Sequence, residues 1–219
     1  MAIKIENVVT PSAEQWEAII RGTRNPMNSW SKSDSYKTYI ENEQTGQRAD
    51  FEFFVGDADL ELMQKLVKAG TDHRKFMRMI TVYVDVTAPL YWWKEADTYK
   101  VGTVRNSCST MHKITEKEFT LDDFSTEHLD GWSIEGFATI IDLLNKYRFD
   151  YLETKNKDDW WQLIQLLPSS YNQRATLMLN YEVLANMYHS RKNHKLDCWR
   201  TFCEWIETLP YAKELICGE

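Results

Sequence analysis

No run of eighteen apolar residues occurs in the sequence, which is about what a helix needs to cross a bilayer. The first ten residues, MAIKIENVVT, lack a basic segment followed by an apolar stretch. Neither a membrane span nor a secretory signal is therefore expected, and the expected compartment is the cytosol. Glycine and proline are scarce, eight and five in 219 residues, which argues against extended disorder. Cationic side chains are outnumbered: 26 Lys and Arg against 33 Asp and Glu leave a formal charge of −7, so the electrostatic footprint of a nucleic-acid binder is missing. A small ligand or a protein partner is expected instead. Only four cysteines occur, Cys108, Cys198, Cys203 and Cys217. Without C-x-x-C spacing or paired histidines they predict reduced thiols rather than a zinc site.

Aromatic residues are what the chain has in quantity: nine Trp, eleven Tyr and nine Phe. A chain of this length buries roughly 70% of its unfolded surface, so most of these rings belong in a core. No repeat, low-complexity tract or Pro/Gly/Ser linker divides the chain, and residues 1–219 read as one domain.

Alternation over residues 4–9 predicts a first strand. Ser12 and Gln15 form a capping box ahead of Trp16, Ile19 and Ile20, which share one helical face, and this helix closes near Gly22. Residues 23–49 are polar and turn-rich and predict a long loop with one helical turn around 36–41. Asp57 or Asp59 caps a helix carrying Leu60, Met63, Leu66 and Val67, which Gly70 ends. At residues 77–87 the period becomes two, with Ile80, Val82, Val84 and Val86 on one side, so a half-buried strand feeds Pro89 and delivers the aromatic segment beyond it to a sheet edge. Further on, Ser133 caps a helix with Phe137, Ile140, Ile141 and Leu144, and residues 158–167, 172–192 and 196–209 read as three more helices. The fold class is α/β (α+β) with a helix-rich C-terminal half.

The working surface is expected at residues 88–112, APLYWWKEADTYKVGTVRNSCSTMH. Pro89 suits a first helical position, and Gly102 ends the aromatic helix that it starts. Beyond it Thr103, Arg105, Asn106, Ser107, Cys108, Ser109, Thr110 and His112 can line a polar ligand. Lys100 and Arg105 are either a phosphate pair or two solvated charges. Cys108 is either a nucleophile with His112 as base, as in a hydrolase, or a half-buried thiol. Glu95 and Asp97, two apart, face different directions and form no carboxylate dyad. Trp92 and Trp93 read as core or interface residues. No catalytic group is assigned.

Two segments together resemble the flavin-dependent thymidylate synthase family (ThyX), which methylates deoxyuridine monophosphate (dUMP) with a flavin and a folate. Ala88-Pro89 has the layout of the family's Ala-Pro, which leads through a helix to the signature R-H-R-x-x-S-x-N-E-x-S-x-R, here TYKVGTVRNSCST over residues 98–110. Leu167-Pro168, then Asn180, Leu184, Asn186 and Arg191, resemble the family's Leu-Pro and N-x-R-x-L-x-N-x-x-x-x-R. Thr98, Tyr99 and Lys100 replace R-H-R, and Glu182 replaces the first arginine of the second motif.

The resemblance implies a twisted, mainly antiparallel sheet with packed helices and a homotetramer with sites between subunits. FAD is implied as cofactor, against Asn180, Asn186, Tyr99 and Lys100. A nucleotide such as dUMP is implied as ligand, against Arg191, Glu95, Arg105, Asn106, Ser107, Cys108 and Ser109. Arginine suits that task because its planar fork bonds a phosphate or a pyrimidine edge bidentately. Against these roles, an asparagine within a helix usually bonds nearby backbone, and Arg191 near a helix end complements the macrodipole. A non-catalytic relative that keeps the scaffold as a nucleotide-binding or interaction protein is the alternative.

Overall fold

The structure, a computed structural model, describes residues 3–41 and 48–218. Strand β1 (Lys4–Val9) forms as the alternation predicts. Helix α1 (Ala13–Arg24) opens on the expected capping box, with Gln15 N–H donating to Ser12 Oγ and Ser12 N–H to the Gln15 side chain. It runs two residues past Gly22. The stretch expected to be a loop with a helical turn instead pairs β2 (Tyr36–Glu41) with β3 (Arg48–Phe54), antiparallel, and its part at 42–47 lies outside the described residues. The reason is cross-strand: Tyr36 stacks on Phe54 at 5.4 Å and Tyr39 meets Phe51 at 4.3 Å. Such pairs stabilise a hairpin without any local signal in the first strand.

Helix α2 (Asp57–Lys68) has Gly56, not Asp57 or Asp59, at its cap position. The Asp34 carboxylate, from the preceding segment, accepts from the N–H groups of Ala58 and Asp59. Gly70 lies just beyond the helix at φ 101°, as a terminating glycine should. Then come β4 (Thr81–Pro89), α3 (Leu90–Ala96), β5 (Val104–Ser107) and the single turn α4 (Thr110–Lys113). Next are α5 (Gly131–Thr154), capped by Asp130 rather than Ser133, and α6 (Lys157–Leu166). The expected helix over 172–192 is in fact strand β6 (Asn172–Asn180) followed by helix α7 (Tyr181–Arg191). Ala175, Leu177 and Leu179 alternate into the core, and Asn180 breaks the period by accepting from Val183 N–H. Helix α8 (Asp197–Glu207) and a π-helical turn at Lys213–Cys217 complete the chain.

The sheet has the order β1-β4-β6-β5, every pair antiparallel. Strand β4 is therefore interior, and the edge falls to β5, because β6 supplies a second partner where a helix over 172–180 would supply none. One sheet face carries Val82, Val84, Val86, Leu177 and Leu179 against Trp92, Trp199 and Phe202 of the helices. Trp92 and Trp93 are core residues, as expected. A second apolar cluster, with Phe124, Ile141, Leu144 and Leu163, sits under α5 and α6. Among the described residues no helix is long and apolar enough to cross a membrane.

Asp59 and Arg24, both buried, tie α1 to α2. The Asp59 carboxylate accepts from Arg24 Nε at 2.5 Å, from the hydroxyls of Ser33 and Ser35 at 2.6 Å each, and from Ser35 N–H. Burial pushes its pKa up, but the hydrogen bonds from Ser33, Ser35 and Arg24 outweigh this and hold it below the ordinary carboxylate value. A depressed folded pKa adds stability above the unfolded value of about 3.9, and that stability is lost as pH falls through the folded one. Asp59→Ala, which strands Arg24 in the interior, is expected to cost about 3–5 kcal/mol in urea denaturation at neutral pH. The loss should shrink as the pH is lowered below about 4; a variant within about 1 kcal/mol of the parent would refute the role.

Candidate functional site

The segment from β4 to β5 is pinned at its start by an indole. Pro89 is extended (φ −67°, ψ 152°) and occupies the cap position, so α3 begins at Leu90 rather than at the proline. Trp93 N–H donates to the carbonyls of Ala88 and Gln173, both at 3.0 Å, which fastens α3 to the ends of β4 and β6. The helix ends at Ala96, well before Gly102. Gly102 sits at φ 77° in the turn beyond, and a Cβ there would lie 2.4 Å from Asn180 Nδ2. Glycine is required at this position for both reasons.

Arg105, on β5, sits over Trp93 with its guanidinium carbon 3.9 Å from the ring centroid. Nη1 donates to Asp97 at 2.6 Å and Nη2 to the Gln173 side-chain oxygen. Gln173 Nε2 in turn donates to the Cys108 carbonyl and the Thr110 hydroxyl at 2.8 and 2.9 Å. Neither Asp97 nor Gln173 figured as an arginine partner in the sequence. Asp97 is eight residues away in irregular chain, and Gln173 falls inside a stretch that reads as helix.

Arg191 closes the other side. In the last turn of α7, where it also complements the helix dipole, it donates through Nε to the Tyr99 hydroxyl at 3.0 Å and through Nη1 to Glu95 at 2.7 Å. Its guanidinium carbon is 5.0 Å from the Trp199 ring centroid. The same Glu95 oxygen accepts from Trp199 Nε1 at 2.9 Å and has His194 Nε2 at 3.5 Å. Thus the end of α7 reaches the exit of α3 within one chain, and Glu95 and Asp97 serve different arginines.

Between these elements lies a cavity of 290 Å³ with Leu177, Leu179 and Met187 as its apolar wall. Three other lining side chains, Trp92, Thr103 and Arg105, carry a buried polar atom (Nε1, Oγ1 and Nε) with no hydrogen-bond partner among the described residues. Two are pure donors and the third is a hydroxyl. A buried unpaired polar group costs about 1–3 kcal/mol, so a ligand rich in acceptors would relieve a cost already present. Tyr99 and Lys100 border the same cavity.

The remaining predicted residues are dispersed. Asn106 and Ser107 are exposed on β5. Cys108 and Ser109 line a second cavity of 310 Å³ with Arg174, Asn172 and Gln173. His112 lines a third cavity, so the structure does not assemble a thiol–imidazole pair with Cys108. Asn180 Oδ1 caps α7 and its Nδ2 donates to the Gly102 carbonyl at 3.2 Å. Asn186 is exposed on α7. Asn180 and Asn186 therefore share no helix face, one ending a strand and the other sitting mid-helix. Glu182 is buried and bonded to Arg74 at 3.0 Å. Among the described residues no cluster of His, Cys, Asp and Glu could hold a metal ion.

No family model and no curated protein matches the sequence. Solved structures do match its architecture. Two are Helicobacter pylori ThyX complexed with FAD and dUMP: one is 14% identical with a TM-score of 0.64 over 99% of this chain and 98% of its own. The other is 15% identical with a TM-score of 0.65 over 99% and 97%. A third is the UMP/dUMP methylase PolB of Streptomyces cacaoi bound with 5-Br dUMP, 13% identical with a TM-score of 0.61 over 96% and 90%. Over nearly its whole length the chain has the fold of the flavin-dependent thymidylate synthases.

Proposed function

We propose that this chain binds a uridine nucleotide such as dUMP, held between the exit of α3, the β5 edge and the end of α7. The observation that carries the reading is the meeting of Arg191 with Glu95 and Tyr99 beside a cavity that contains three unpaired polar atoms. An arginine next to a carboxylate presents a donor beside an acceptor. The pyrimidine edge of uracil, with carbonyls flanking an N–H, is complementary to that pattern. Arg191 and Glu95 keep 21% and 33% of their side-chain surface, so a ligand can reach both. Arg105, on β5 at the same cavity, provides a cation for the phosphate, while Asn106 and Ser107 are exposed further along that strand. Self-association as a homotetramer, with Tyr99–Ser109 and Arg191 near a subunit boundary, belongs to the same reading.

Methylation of the nucleotide with FAD and a folate is the second reading, favoured by solved relatives that hold FAD and dUMP together. The residues at the four positions implied for FAD do not fit a flavin dinucleotide. Asn180 has both ends of its amide bonded to backbone, Asn186 stands on the outer surface of α7, and the Tyr99 hydroxyl accepts from Arg191. Lys100 is the only cation of the four. Glu182 adds a buried carboxylate in the first turn of α7, already bonded to Arg74.

Calorimetric titration of the full chain with dUMP is expected to show a binding site that depends on Arg191 and Arg105. Arg191→Ala and Arg105→Ala should each weaken it at least about tenfold, about 1.4 kcal/mol, within reach of one lost charge-assisted hydrogen bond. The absence of dUMP binding at millimolar concentration, or full affinity in both variants, would remove the nucleotide reading. The visible absorption spectrum after incubation with FAD and removal of free cofactor is expected to be colourless; a stoichiometric yellow protein would restore the flavin-dependent reading.

A further inference from the structure

We propose that the groove between α4 and the α5–α6 junction is a second binding site, for a planar aromatic anion of about nucleotide size. The groove encloses 690 Å³, inside the range of roughly 300–1,000 Å³ typical of small-molecule sites. It is lined by Met111, His112, Tyr151, Lys155, Lys157 and Trp160, among others, and by no acidic side chain.

Charge sets it apart from its surroundings. The neighbouring lysines are neutralised locally: Lys113 pairs with Glu116, Lys117 with Asp123 and Lys146 with Asp150. Lys155 and Lys157 form no ion pair among the described residues, although the chain as a whole carries −7. Two lysines that line one groove without an ion pair among the described residues are complementary to an anion.

The ring platform is equally well defined. Trp160 N–H donates to the Met111 carbonyl at 3.3 Å, and the Trp160 ring meets Trp161 edge-on at 4.9 Å, so its position is held from two sides. Lys155 Nζ lies 5.7 Å from the centroid of Tyr151, within cation–π range. The turn that carries the lysines is held at both ends. Lys155, at φ 56°, caps α5 by donating its N–H to the Tyr151 carbonyl at 2.9 Å, and Asn156 Oδ1 caps α6 by accepting from Asp158 N–H at 3.1 Å. Aromatic rings and two lysines thus line a groove at a corner whose backbone is fixed by two caps, which suits a ligand with a flat ring and one negative group.

Phosphate and carboxylate are both compatible with two lysines, so the probes are adenosine 5′-monophosphate and pterin-6-carboxylate, with adenosine and inorganic phosphate as controls. Isothermal titration of the full chain at low ionic strength is expected to show one site per chain for at least one of the two anions. Both controls should bind at least tenfold more weakly. A double variant, Lys155→Gln with Lys157→Gln, should lose at least tenfold in affinity while keeping the parent's melting temperature and near-ultraviolet circular dichroism. Trp160→Phe should abolish the accompanying change in tryptophan emission, and Arg105→Ala, in the first cavity, should leave the affinity unchanged. Absence of binding by both anions, parent-like affinity in the double variant, equal binding of adenosine, or loss of binding in Arg105→Ala would each overturn the proposal.

Discussion

The nine-residue register between β4 and β6, unbroken from Thr81 opposite Asn180 to Pro89 opposite Asn172, is the constraint on which the rest of the molecule depends. At one end it brings the chain entering α3 beside Gln173, which lets the Trp93 indole bridge both strands. At the other end it leaves Asn180 to start α7 beside the Gly102 turn. Helix α7, eleven residues and so about 16 Å long, then carries Arg191 back to the exit of α3. A one-residue slip would turn Val82, Val84 and Val86 to solvent, so the buried face of β4 enforces the alignment that places the site.

Within that frame the cations of the site are restrained before any ligand arrives. Arg105 is held over Trp93 and drawn to Asp97 and Gln173; Arg191 is held by Glu95, Tyr99 and the Trp199 ring. Such preorganisation lowers the entropic cost of binding, and it also means that an anion must compete with two carboxylates. The groups left unsatisfied, Trp92 Nε1, Thr103 Oγ1 and Arg105 Nε, are the ones a neutral or singly charged acceptor would meet most easily. The acidic chain thus concentrates its binding capacity in a few oriented donors rather than in a positive field.

Some of this was legible in the residues alone. The capping box at Ser12 and Gln15 and the period-two run into Pro89 rest on local chemistry, and the structure reproduces both. The polar stretch after α3 and the distant Arg191 are joined in the sequence only through a resemblance in layout, and the fold brings Arg191 to Tyr99 and Glu95. Gln173 stayed hidden because residues 172–192 mix a two-residue period with a helical one, and a window spanning both averages to a helix. The β2–β3 hairpin stayed hidden because its stabilisation lies in Tyr36–Phe54 and Tyr39–Phe51 contacts, not in turn residues.

Sequence by itself determined where apolar faces form and where polar side chains accumulate, since burial pattern, caps and turn residues act over a few positions. Tertiary structure alone decided which of those polar groups are neutralised. Asn180 became a helix cap and a clamp on Gly102, Asp59 an internal anchor for Arg24 and not a cap, and Glu182 the partner of Arg74. The last two pairings, and the clamp on Gly102, depend on residues brought near by strand register or helix packing, at sequence separations from 35 to 108, over which local chemistry carries no information.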